Sequence, residues 1–132
     1  MILIDTGSLV ALIDKGQGKT HVQCVETYKT LTGSLLTTWP CFTEAMYFLS
    51  QLRGWSAQEI LWEFVNRKAL YLHSVNEDES QRMKVLMKKS RDIPMDLADA
   101  SLVATAESQK IKRIFTLDSD FYIYRLYDRL GF

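Results

Sequence analysis

Residues 2–8 read Ile2-Leu3-Ile4-Asp5-Thr6-Gly7-Ser8, three apolar residues running straight into an aspartate. A helical pattern follows from Ser8 to about Asp14. A short run that is continuously apolar, rather than alternating, reads as a strand buried on both faces. The same grammar recurs down the chain. Leu35-Leu36-Thr37-Thr38 reads as a second buried strand, and Pro40 opens the helix behind it, carried by Phe42, Ala45, Met46 and Leu49. Residues 70–75 and 113–117 read as a third and a fourth strand.

Helical patterns fill the gaps. One covers residues 20–31 and is ended by Gly33. Another starts at a capping-box pattern, Ser56-Ala57-Gln58-Glu59, with Ile60, Leu61, Phe64 and Val65 as its stripe. A third covers residues 77–90 with Met83, Leu86 and Met87 inward, and a fourth covers residues 96–110. The tail, residues 121–132, reads as a short turn and an edge strand around Tyr124 to Leu126. Strands alternating with helices predict an α/β fold, a three-layer α/β/α sandwich around a parallel sheet. Right-handed crossovers then bring the C-terminal ends of the strands to one edge, where such sheets bind their ligands.

Composition sets the outer limits. The 132 residues carry 16 Lys+Arg and 16 Asp+Glu, a formal net charge of zero, with 47% hydrophobic and 24% charged residues. That predicts a single folded domain over residues 1–132 with a real core. It excludes a protein that holds nucleic acid mainly by a bulk positive field. Cys24 and Cys41 have no metal-ligand spacing and read as buried thiols of a reducing compartment. With no signal-peptide pattern and no run of roughly 18 apolar residues, the expectation is a cytoplasmic domain.

The polar residues at the binding edge are acidic. Asp5 directly follows the first strand, and Glu44 lies one turn into the helix leaving the second. Asp96 and Asp99 open the helix before the fourth strand, Asp118 directly follows that strand, and Asp120 stands two residues on. Leu102, Val103 and Ala106 follow Asp99 at helical spacing, so Asp99 points inward with that stripe. Each acid alone has an ordinary explanation. Asp96 reads as an N-cap, Asp5 and Asp118 as strand-end turn residues, and Glu44 as a solvated helix residue. Together they form an inward cluster without balancing cations, which is costly unless a hard cation such as Mg²⁺ or Mn²⁺ relieves it.

Four stretches carry a resemblance. They are residues 5–12 (Asp5-Thr6-Gly7-Ser8-Leu9-Val10-Ala11-Leu12), Thr37-Thr38-Trp39-Pro40 through Thr43-Glu44-Ala45, residues 95–104 (Met95-Asp96-Leu97-Ala98-Asp99 and onward), and Ile114-Phe115-Thr116-Leu117-Asp118-Ser119-Asp120-Phe121. In order and spacing the chain resembles PIN-domain proteins, and more narrowly the VapC-type ribonuclease toxins of toxin–antitoxin pairs. The resemblance implies an acidic site of Asp5, Glu44, Asp99 and Asp118 holding Mg²⁺ or Mn²⁺, with Thr6 and Thr116 as hydroxyl residues that position the pocket. It also implies hydrolysis of RNA phosphodiesters to 5′-phosphate products, a small antitoxin partner and a homodimer. Ser8 departs from the proline or small residue of close relatives. Asp118 is preferred over Asp120 as the fourth ligand because it directly follows the strand. The alternative function is a PIN-fold protein that binds RNA or acts as a scaffold without cutting; four intact acids argue against it.

Other signals carry less. Gly18-Lys19-Thr20 lacks the earlier glycine of a P-loop, since Ile13 stands there. A phospho-acceptor receiver domain would want paired acids after the first strand and an aspartate ending the third, where Ser74-Val75-Asn76 stands. His21 reads as structural or substrate-side, and His73 as a core or edge residue. Trp39, Trp55 and Trp62, with Tyr47 and Phe48, could stack bases, but at helical spacing they read first as packing or dimer contacts. The run Lys88-Lys89-Ser90-Arg91 reads first as a solvated helix end, and it, Arg53 or Lys15 could also guide phosphates towards Asp96 and Asp99.

Overall fold

The structure, a computed structural model, describes residues 1–89 and 95–117. Four strands, β1 (Ile2–Ile4), β2 (Leu35–Thr38), β3 (Leu70–His73) and β4 (Ile114–Phe115), form one sheet in the order β3-β2-β1-β4. Every pairing is parallel, with Ile2 opposite Leu35, Leu3 opposite Ile114, and Thr38 opposite His73. The helices are α1 (Thr6–Ile13), α2 (Lys19–Thr30), α3 (Trp39–Arg53), α4 (Trp55–Asn66), α5 (Glu77–Lys89) and α6 (Leu97–Gln109). A single 3-10 turn, Lys15–Gln17, joins α1 to α2.

Side-chain alternation along the strands builds the expected sandwich. Ile2, Ile4, Leu35 and Leu70 enter one buried cluster with residues of α1 to α4, including Leu9, Phe42 and Leu61. Leu3 and Leu36 point the other way, into a second cluster with Met83 and Leu86 of α5 and Leu102 and Val103 of α6. A period of two therefore separates two cores. The central helix of the second core is buried almost all round, from Ala100 to Ala106. Its small residues allow that close approach. The stripe that placed Asp99 inward is thus part of a helix with little solvent face.

Two threonines make a buried strand polar without penalty. The Thr37 hydroxyl donates to the Ile4 carbonyl at 2.7 Å, and the Thr38 hydroxyl shares a 2.6 Å hydrogen bond with that of Ser101. Satisfied in this way, buried hydroxyls cost little.

Several element ends differ from the sequence reading, each for a visible reason. α1 starts at Thr6 rather than Ser8, because the Asp5 carboxylate already accepts from the Ser8 amide as N-cap. β3 stops at His73 because its partner β2 ends at the paired Thr38, where α3 begins. β4 is correspondingly short, since its Phe115 pairs with the last residue of β1. The capping box at Ser56 does not form. Gly54, with φ +76°, closes α3 by donating to Leu49 and Ser50 and is itself the cap of α4, so Ser56 is already inside the helix. Ser90, Arg91 and the tail with its expected edge strand lie outside the described residues. No helix among the described residues is long and apolar enough to cross a membrane.

Candidate active site

The carboxylates gather where the parallel strands end. Asp5, first residue after β1, is 7% exposed and doubly held. Its Oδ1 accepts from the Ser8 amide at 2.9 Å, and its Oδ2 accepts from the Thr116 hydroxyl at 2.5 Å. The end of β4 thereby fixes the carboxylate at the end of β1. On α3, Glu44 is half-buried and receives the Thr6 hydroxyl on Oε1 at 3.2 Å, while the same hydroxyl reaches the Cys41 carbonyl at 3.2 Å. Thr6 and Thr116 thus each orient one acid of the site. Burial raises the Glu44 carboxyl above its ordinary range, and the negative charge of Asp96 raises it further, against the lowering effect of Thr6.

Asp96 caps α6, its Oδ1 accepting from the Asp99 amide at 2.8 Å, so the ordinary reading of this residue is correct. It also reaches the site. Asp5, Glu44, Asp96 and Asp99 line one cleft of about 780 Å³, together with Thr6, Gly7, Val10, Gln17, Phe48, Gln51, Leu52 and Leu117. No Lys, Arg or His stands among these lining residues. Asp118 and Asp120 lie outside the described residues, although the adjoining Leu117 borders the cleft.

This donor set bears directly on which cation it fits. Among the described residues, no three His, Cys, Asp or Glu side chains draw together closely enough to hold an ion between them. Mg²⁺ keeps several waters and takes only one or two carboxylates directly, and a roomy cleft rich in carboxylates and free of cationic side chains suits that mode. Asp5, Glu44 and Asp99 are the described residues that would hold it.

Beside the cleft lies a cluster that sequence reading missed. Asp14, buried at the end of α1, accepts from Arg53 Nε at 2.8 Å, from the Gly16 amide at 3.0 Å and from Gln17 Nε2 at 2.9 Å. The Arg53 guanidinium, then Gln17, hold its carboxyl down at about 2. Arg53 is thus engaged with Asp14 through Nε while its side chain stays half exposed. No local motif announces a pair separated by 39 residues. Lys15, Lys88 and Lys89 are exposed.

The histidines do structural work. His21 Nδ1 meets the Ala11 carbonyl at 2.8 Å, pinning α2 to α1. His73 lies 3.0 Å from the buried Glu79 carboxylate, which also accepts from the Asn76 amide and the Ser108 hydroxyl. Trp39, Phe42 and Trp62 stack edge-to-face in series, which fits the packing role expected of the two tryptophans.

With the geometry in hand, comparison places the chain. By fold it is similar to VapC20 of Mycobacterium tuberculosis, a sarcin–ricin loop cleaving toxin, with a TM-score of 0.85, 16% identity, and 93% of this chain and 94% of that one covered. It is also similar to a toxin–antitoxin complex from Klebsiella pneumoniae, with a TM-score of 0.69, 17% identity, and 92% and 90% covered. No curated protein matches the sequence. The PIN domain family matches residues 2–126. Its match spans both cores and all the described acids of the cleft, so the chain belongs to the PIN domain family.

Proposed function

We propose that this protein is an endoribonuclease dependent on Mg²⁺ or Mn²⁺, acting as the toxin of a toxin–antitoxin pair. The observation that carries the reading is the cleft itself. Four carboxylates from the ends of three separate segments line one cavity without a cationic side chain among the described residues. A scaffold gains nothing from that repulsion, whereas a hydrolase for phosphodiesters uses it. Asp118, next in sequence to the cleft residue Leu117, is proposed as a further ligand beside Asp5, Glu44 and Asp99. The chain is proposed to act as one domain over residues 1–132, as a cytoplasmic homodimer restrained by a small antitoxin. The likeness to a toxin–antitoxin complex supports the partner.

A bound divalent cation supplies Lewis-acid polarisation of the phosphoryl group and offsets its negative charge. The protein's own part is to hold the acids in place. The Ser8 amide and the Thr116 hydroxyl fix both oxygens of Asp5, so this acid needs no reorganisation when substrate arrives. Thr6 aims Glu44 into the cleft. Burial and the charge of Asp96 raise Glu44's affinity for a proton, which suits it to take one from an attacking water. Asp99, in the first turn of α6, lines the same cleft.

The test is cleavage of total RNA by purified protein with Mg²⁺, with Mn²⁺ and with chelator, beside an Asp99→Asn control. Cutting that requires metal, disappears in the control and leaves 5′-phosphate ends is the expected result. Absence of cutting with either metal would overturn the reading.

A further inference from the structure

The cleft continues past its carboxylates. Phe48 lies one helical turn beyond Glu44 on α3, Gln51 and Leu52 lie about two turns beyond, and Gln17 faces them from the 3-10 turn. At 1.5 Å rise per residue, Phe48 stands about 6 Å along the helix axis from Glu44, the scale of one nucleotide. Phe48 is 45% exposed, and its neighbour Tyr47 packs against it edge-to-face at 5.6 Å. Gln17 is set before any ligand arrives. Its Nε2 donates to Asp14, which Arg53 and the Gly16 amide hold in turn.

Among the described residues, no Lys or Arg lines this half of the cleft to neutralise a phosphate. An aromatic ring and two amides offer the other means by which proteins hold single strands, stacking and hydrogen bonds to base edges. Beyond its bond to Asp14, the Gln17 amide keeps its oxygen and one N–H, groups that an apolar side chain of a protein partner could not satisfy.

On the ribonuclease reading above, we propose that Phe48, Gln51 and Gln17 form a subsite for an unpaired nucleobase next to the scissile phosphate. Phe48 stacks on the base, and the two amides read its hydrogen-bonding edge.

The test uses the full chain and a short single-stranded oligoribonucleotide that it cuts. The substrate is made intact and with an abasic ribose at either position beside the cut. Phe48→Ala should lower kcat/KM on the intact strand about tenfold or more, and Phe48→Trp should restore it. On the abasic strand that loses the contact, Phe48→Ala should have no further effect. Gln17→Ala and Gln51→Ala should alter which base is preferred at that position. An unchanged melting temperature for Phe48→Ala would assign the loss to the contact rather than to folding. Phe48→Ala cutting like the wild type would overturn the subsite and leave that face to a protein partner. Independent, multiplying effects of Phe48→Ala and the abasic change would overturn it too. Failure of the wild type to cut any RNA would instead overturn the ribonuclease reading, and the subsite with it.

Discussion

The Thr116 hydroxyl donates to Asp5 Oδ2 at 2.5 Å, a contact between residues 111 apart in sequence that ties the end of β4 to the end of β1. Such a contact orients an acid more than it stabilises the fold. Thr116→Val should therefore lower metal-dependent cutting about 10- to 100-fold, in the range of losses from removing partners of metal ligands. Thr116→Ser should retain most of it. Cleavage rates set beside melting temperatures check this, and a Val variant with full activity would contradict it.

Asp5 has two duties that substitution can separate. Asparagine caps helices about as well as aspartate, so Asp5→Asn should keep α1 and the melting temperature. It should nonetheless abolish cutting, because the neutral amide lacks the negative charge with which a carboxylate holds a hard cation. Circular dichroism with a cleavage assay distinguishes the two duties.

Acid stability should report the Asp14–Arg53 pair. The Asp14 carboxyl is held at about 2, below its ordinary 3.8, first by the Arg53 guanidinium and then by Gln17. A group with a lowered value in the folded state contributes stability above its unfolded value and loses it as pH falls through the folded one. The contribution is therefore complete above about pH 4 and fades towards pH 2. Glu79 is lowered as well, burial being outweighed by Ser108, Asn76 and His73, so it fades in an overlapping range in wild type and variants alike. The difference is what counts: Arg53→Gln should flatten the fall in melting temperature across that window. Gly16→Ala should act in the same direction, since a Cβ there would stand 2.3 Å from Arg53 Nη2 and push the guanidinium off. Identical pH profiles for wild type and Arg53→Gln would contradict the assignment.

Ser8 is fully buried, and its hydroxyl has no hydrogen-bond partner among the described residues. An unpaired buried hydroxyl costs about 1–3 kcal/mol relative to a methyl group that asks for nothing. Ser8→Ala should raise stability by about 1 kcal/mol in denaturant titration, without touching the backbone amide that donates to the Asp5 cap. A destabilised Ala variant would contradict this.

Much of this was legible in the chain because local physics dictated it. Ile2-Leu3-Ile4-Asp5 is buried, parallel and at the centre of the sheet, as a continuous apolar run ending in a polar residue implies. β2 occupies the expected residues, with Pro40 inside the first turn of α3. Asp5, Glu44 and Asp99 meet in one cleft because a parallel sheet brings its strand ends to one edge. Asp118 lies outside the described residues. What sequence could not yield were the long-range partners. The clasp of Asp14 by Arg53, and the reach of Ser108 to Glu79, depend on how helices pack and not on any spacing within them. Asn76 and Glu79, by contrast, stand three residues apart and bond reciprocally as a local cap of α5 that the spacing could have announced. The Ser56 box failed for a neighbouring reason: Gly54 at positive φ joins α3 to α4 within one residue and takes the capping position first.

The central claim is that the carboxylates of the cleft act together in binding divalent cation. Mn²⁺ binding, followed by the electron paramagnetic signal of the free ion, tests it on the full chain without depending on RNA. The account predicts saturable binding by the wild type that is lost in both Glu44→Gln and Asp99→Asn, with melting temperatures close to that of the wild type. Binding that persists unchanged in both variants would contradict it.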